Sequence, residues 1–184
     1  MRRLFVGPNN CGKSEKAETL IETRNTSLGY FATLDRKNNA HADKIAKHRK
    51  RRGDKYRTIE TAFAIYPDIS ALQSLFDDDC TILVDGLTVY TYKILESCKK
   101  NEMPHKFEAF AGALIRTLSR DRANWVLVDI APDSLEKTPI GELVPYMDAL
   151  HRRILTIKNA VLSEMQSASP LRKFQNEGNE LWTK

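Results

Sequence analysis

The stretch Leu4-Phe5-Val6-Gly7-Pro8-Asn9-Asn10-Cys11-Gly12-Lys13-Ser14 decides the fold. From Gly7 it reads G-x-x-x-x-G-K-S, the spacing of a phosphate-binding loop. Its glycines let the backbone turn N–H groups inward as a nest for phosphate oxygens. Lys13 places a point charge on the outer phosphates, and Ser14 offers a hydroxyl to Mg2+. Such a loop needs an apolar strand before it and a helix after it. Leu4-Phe5-Val6 supplies the first; residues 16–23, rich in helix formers with Ala17, Leu20 and Ile21 on one face, predict the second. A helix opening at Gly12 adds its positive dipole end to the same anion. Gly7, Pro8, Asn9, Asn10, Cys11, Gly12, Lys13 and Ser14 are therefore the expected seat of a nucleoside triphosphate.

Residues 28–34, 81–85 and 125–130 are near-continuous apolar runs, the pattern of a parallel sheet covered on both faces. Asp85 closes the second run in the form of a Walker B acid, placed to organise Mg2+ together with Ser14. Asp129 lies near the end of the third. The polar, Pro-bounded loop over 131–138 belongs to the same edge, where ligands of open α/β folds bind. Helices are expected over 40–52, 89–100 and 106–122, the last with Phe107, Phe110, Ala111, Leu114, Ile115 and Leu118 as its inward stripe. Residues 63–76 form an amphipathic stretch broken at Pro67, and 140–165 reads as a long helix interrupted near Pro145. Alternating strands and helices predict a three-layer α/β P-loop domain with a mainly parallel sheet over residues 1–166. The tail over 167–184 has no strand pattern and is expected to be partly disordered.

The chain of 184 residues suits one domain. No apolar run reaches membrane-spanning length, and no signal-peptide core precedes the loop. Cys11, Cys80 and Cys98 show no metal or redox spacing, which with the loop points to the cytoplasm. The net charge of +5 favours anionic ligands. It is concentrated at Lys44, Lys47, Arg49, Lys50, Arg51, Arg52, Lys55 and Arg57. As a helix, this region puts His41, Lys44 or Ile45, His48 and Arg52 along one face. Residue types alone leave two readings open: a solvated or nucleic-acid-binding basic helix, or one that brings His48 and its arginines to the nucleotide. With no aromatic interleaved beyond Tyr56, nucleic acid is the weaker expectation. The absence of an Asn-Lys-x-Asp motif speaks against a Ras-like switch GTPase.

Several separated pieces together resemble the cobinamide kinase/cobinamide-phosphate guanylyltransferases of cobalamin biosynthesis. They are the opening loop, Tyr30-Phe31-Ala32-Thr33, Ile45-x-x-His48-Arg49-x-x-Arg52, Tyr56-Arg57-Thr58-Ile59-Glu60 and Val84-Asp85-Gly86-Leu87-Thr88. The family usually has Trp-Arg-Thr-x-Glu at the fourth piece, and at the fifth an acid followed by a small residue, an aliphatic and Thr. The resemblance implies a RecA-like P-loop domain, assembled as a trimer, using GTP or ATP with Mg2+ and a small-molecule acceptor such as cobinamide. His48 then corresponds to the histidine that takes GMP as a phosphoramidate, with Lys13 and Asp85 as further catalytic groups. Gly7 to Ser14, Ala32, Thr33, Leu34, Arg49, Lys50, Arg51, Arg52, Glu60 and Asp85 correspond to nucleotide-contacting positions, and Ser14 and Asp85 would face the metal. Three departures stand out. Lys37-Asn38-Asn39-Ala40-His41 replaces Asp-x-Glu-Met, and Asp129-Ile130-Ala131-Pro132-Asp133-Ser134 replaces Asn-Glu-Val-Gly-x-Gly-x-Val-Pro. The family's last strand has no counterpart expected in 167–184. Two further readings remain: a small-molecule P-loop kinase without a guanylyl step, and a non-catalytic nucleotide- or nucleic-acid-binding module.

Overall fold

Successive side chains of a strand point to opposite faces, so a run apolar at every position fits a sheet buried on both. A computed structural model, which describes residues 1–34, 42–60, 80–96, 98–120, 123–136 and 138–165, has this arrangement. In chain order the elements are β1 (Arg2–Gly7), α1 (Lys13–Glu22), β2 (Ser27–Ala32), α2 (Ala42–Arg52), β3 (Arg57–Glu60) and β4 (Cys80–Asp85). They continue with α3 (Leu87–Leu95), α4 (Met103–Arg120), β5 (Asn124–Ile130), α5 (Val144–Leu155) and β6 (Ala160–Glu164). Two short 3-10 turns, Pro132–Ser134 and Gly141–Leu143, lead from β5 to α5. The six strands run in the order β3-β2-β4-β5-β1-β6, and every pairing is parallel.

The two faces divide the apolar runs as the alternation requires. Leu4, Val6, Phe31, Ile82, Val84, Trp125 and Leu127 join α3, α4 and α5 in the larger core. Phe5, Tyr30, Leu83, Val126 and Val128 pack on the other side with Ala17 and Ile21 of α1. The expected α/β class holds, with the sheet entirely rather than mainly parallel. Strand β5 lies between the loop-bearing β1 and the acid-bearing β4. The C-terminal ends of β1, β2, β4 and β5 therefore share one edge, with Asp85 in register with Ala32 and Val128.

Three expectations need correction. The long helix over 140–165 is instead α5, ending at Leu155, followed by the edge strand β6 paired with β1. Asn159 turns the chain at φ 63, a left-handed conformation that asparagine tolerates, and the free side of β1 accepts the next residues. Helix α3 starts two residues earlier than expected, at Leu87, and stops at Leu95. Helix α4 takes in Met103 and Pro104, because a proline in the first turn forfeits no intrahelical hydrogen bond. The loop 37–41, the stretch 63–76 and the tail 167–184 lie outside the described residues.

Gly86 joins β4 to α3 at φ +98, and a Cβ there would lie 2.9 Å from Thr33 Oγ1. The Thr33 hydroxyl donates to the Asp85 carbonyl at 2.6 Å, so it has no slack to give. Gly86→Ala should therefore lower stability by about 1–3 kcal/mol, read as a shift of the urea midpoint. An unchanged midpoint would mean that this turn relaxes freely.

Candidate active site

The phosphate loop owes its shape to two left-handed residues, Asn10 at φ 59 and Gly12 at φ 87. Gly12 is the N-cap of α1 and provides no side-chain cap, so the first N–H groups of that helix stay available to an anion. Lys13 is nearly buried, and its Nζ donates to the Gly7 carbonyl at 2.9 Å and to the Pro8 carbonyl. Cys11 Sγ lies 3.7 Å from the same ammonium. Burial lowers the Lys13 pKa, opposed by Cys11 and Asp129 and reinforced by the neighbouring charge of Lys44.

Asp85 is the hub of the site. Ser14 Oγ donates to its Oδ1 at 3.0 Å, and Tyr30 Oη donates to its Oδ2 at 3.3 Å. His48 Nδ1 lies 3.2 Å from the same Oδ2, without the alignment of a full hydrogen bond. Burial raises the Asp85 pKa, but His48, Ser14 and the charge of Lys44 outweigh it and leave the carboxyl below its ordinary value. Burial, with Asp85 beside it, pushes the Tyr30 hydroxyl well above its ordinary range, so it stays protonated as a donor.

Helix α2 delivers His48. Lys44, Lys47, His48 and Arg51 recur at helical spacing on one face and line the cleft. The cleft, about 260 Å³, also takes in Asn9, Asn10, Cys11, Gly12, Lys13, Ser14, Thr33, Leu34 and Asp85. Of the remaining candidates, Gly7 and Pro8 lie beneath the loop as acceptors for Lys13. Arg52 is buried behind His48 with its guanidinium 3.4 Å over the Tyr30 ring. Arg49 and Lys50 are exposed and outside the cleft lining. Ala32 and Glu60 end β2 and β3, in register with each other.

The cleft also includes Lys44, Lys47, Gly86, Val89, Val128 and Ile130, residues to which the sequence reading gave no site role. The two lysines were legible from their spacing to His48. Val89 and Val128 carried no signal, since only the sheet order brings them there. Asp129, noted as an acid at the sheet edge, also lines the cleft, but both its oxygens are engaged. Oδ1 accepts from the Thr88 N–H and hydroxyl, each at 2.7 Å, and His151 Nε2 lies 2.6 Å from Oδ2. Asp129 thereby caps α3, whose own N-cap Gly86 has no side chain to do so.

Among the described residues no cluster of three or more His, Cys, Asp or Glu could hold a metal by itself. Ser14 Oγ and Asp85 Oδ1, two hard oxygen donors side by side, do fit the usual seat of Mg2+ on a nucleotide phosphate. No helix among the described residues is long and apolar enough to cross a membrane.

An all-parallel sheet with a phosphate loop after β1 and a carboxylate after β4 defines a P-loop NTPase-like α/β domain. The family described as cobinamide kinase / cobinamide phosphate guanyltransferase, CobU, matches residues 3–162. The chain belongs to this family. It is similar to the bifunctional adenosylcobalamin biosynthesis protein CobP of Pseudomonas aeruginosa, 30% identical over 143 residues, which is 78% of each chain.

Proposed function

We propose that this chain is a nucleoside-triphosphate-dependent kinase and guanylyltransferase acting on a cobinamide-type acceptor, with His48 as the residue that carries GMP. The observation that supports this most is the Asp85 carboxylate, shared between Ser14 of the phosphate loop and His48 of α2. With Nδ1–H facing Asp85, the tautomer leaves the lone pair on His48 Nε2. Attack of that lone pair on the α-phosphorus of GTP forms a P–N bond and breaks the bond to pyrophosphate. Lys13 and the loop N–H groups neutralise the departing charge, and Asp85 stabilises the imidazolium as it forms. An acceptor phosphate oxygen then attacks the same phosphorus, and the P–N electrons return to Nε2. Ser14 and Asp85 would hold Mg2+, which when bound shields phosphate charge in both half-reactions. In the kinase half-reaction, the acceptor hydroxyl would take the γ-phosphoryl group of ATP or GTP from the same loop. Work in the cytoplasm as a trimer, with residues 1–166 as the catalytic domain, completes the proposal.

Incubation with GTP labelled at the α-phosphate, quenched under alkali, should trap an acid-labile adduct at His48. Unlabelled protein under conditions where nucleotide binds would overturn the guanylyl half. A second reading, a kinase without the guanylyl step, draws on Asp129, whose engaged oxygens stand where the family has Asn-Glu. It predicts acceptor-dependent release of nucleoside diphosphate with no protein adduct.

A further inference from the structure

Helix α2 is attached to the domain in an unusual way. Its buried residues are His48 and Arg52, and none of its residues joins either apolar cluster. Most surface helices are held by a buried apolar face, but here the described attachments are polar. The innermost of them is Glu18 of α1, a carboxylate only 2% exposed. Arg51 grips it with both Nε and Nη2, the latter at 2.9 Å, and Arg52 Nη1 lies 3.8 Å from Oε1. The pairing raises the Arg51 pKa, so the guanidinium is a permanent partner.

Position on the two helices gives this pair its meaning. Glu18 lies one turn beyond Ser14 on α1, and Arg51 and Arg52 lie one turn beyond His48 on α2. The helices thus meet at two rungs, one from Ser14 through Asp85 to His48, the other from Glu18 to Arg51 and Arg52. Tyr30 joins the rungs, with Arg52 over its ring and its hydroxyl on Asp85. A buried carboxylate with no cation would be costly, so Glu18 and its arginines hold each other in one register. Glu22, one turn further on, repeats the arrangement more weakly at the surface with Lys55 and Tyr56.

We infer that Glu18 is a positioning residue, an ionic latch on the P-loop helix that holds α2 where His48 faces Asp85. The latch stands on geometry alone; its effect on GMP transfer rests on the proposed role of His48. The test compares wild type with Glu18→Gln in the full chain, with Glu108→Gln as a control for loss of an exposed ion pair to Arg153. In Glu18→Gln, amide exchange across α2 should accelerate by at least about tenfold, while β1, β4 and β5 keep their protection. Nucleotide affinity should stay within about threefold, and adduct formation at saturating GTP should slow by about tenfold or more. Glu18→Asp, which keeps the charge, should recover part of that rate. Arg51→Met removes the other end of the latch, and the same loosening of α2 is expected there even if Glu18→Gln does not fold. Unchanged exchange in α2, protection lost evenly across the sheet, or a loosened helix with an undiminished adduct rate would each overturn the inference. If wild type forms no adduct, the guanylyl reading fails while the exchange result still decides the latch.

Discussion

His48→Asn is expected to abolish covalent capture of GMP while leaving nucleotide bound. The asparagine amide reaches the place of His48 Nδ1, so the Asp85 carboxylate keeps a donor. Glu18 and Tyr30 still hold α2 through Arg51 and Arg52. The structural cost should be only about 1 kcal/mol, the scale of one polar contact exchanged for another. The chemical cost is much larger, because the amide has no nucleophilic lone pair. Adduct formation should fall by about 10⁴-fold or more, as for other nucleophiles removed from a preorganised site. The measurement is retained α-phosphate label per chain, alongside the nucleotide dissociation constant from equilibrium dialysis. Label persisting on the variant would move the nucleophile elsewhere.

Lys13→Ala should show the complementary pattern and lower both half-reactions together. The Lys13 ammonium is held at the loop by the Gly7 and Pro8 carbonyls, and in the proposed reaction it would exchange them for phosphate oxygens. Loss of one preorganised donor at developing phosphate charge costs about 10²–10³-fold in turnover. Arginine at this position should not restore it, because a planar fork cannot enter a nest shaped for a point charge. Steady-state rates of nucleoside diphosphate release and of GMP transfer, measured on one preparation, provide the check. A defect confined to GMP transfer would place the γ-phosphoryl chemistry outside this loop.

How far the site was legible follows from how local each signal is. The turn from β1 into α1 was readable because its parts are chain neighbours and their spacing sets the backbone conformation. The strands β4 and β5 were readable because burial on both faces makes Ile82-Leu83-Val84 and Trp125-Val126-Leu127-Val128 apolar at every position. Strand β6 was missed for an equally physical reason. Leu150, Ile154, Ile157 and Val161 continue the helical spacing straight through the real stop, and only the left-handed Asn159 breaks it. As a half-buried edge strand, β6 lacks the continuous burial that marks its neighbours. Glu18, a carboxylate between Ala17 and Ile21, reads as an exposed position until Arg51 arrives from 33 residues away.

The left-handed turn of the Gly7–Ser14 loop, the apolar runs of the parallel strands and the basic character of α2 were determined by the sequence itself, since each arises within a few consecutive residues. That Asp85 stands between Ser14 and His48 was decided by the tertiary structure. Ser14 and Asp85 are 71 residues apart, and they meet because β5 and β4 follow β1 in the sheet and bring their ends to one edge. His48 joins them because the buried Glu18 carboxylate of α1 holds a helix that contributes to neither apolar cluster among the described residues, and pairing of that kind depends on distance in space rather than along the chain.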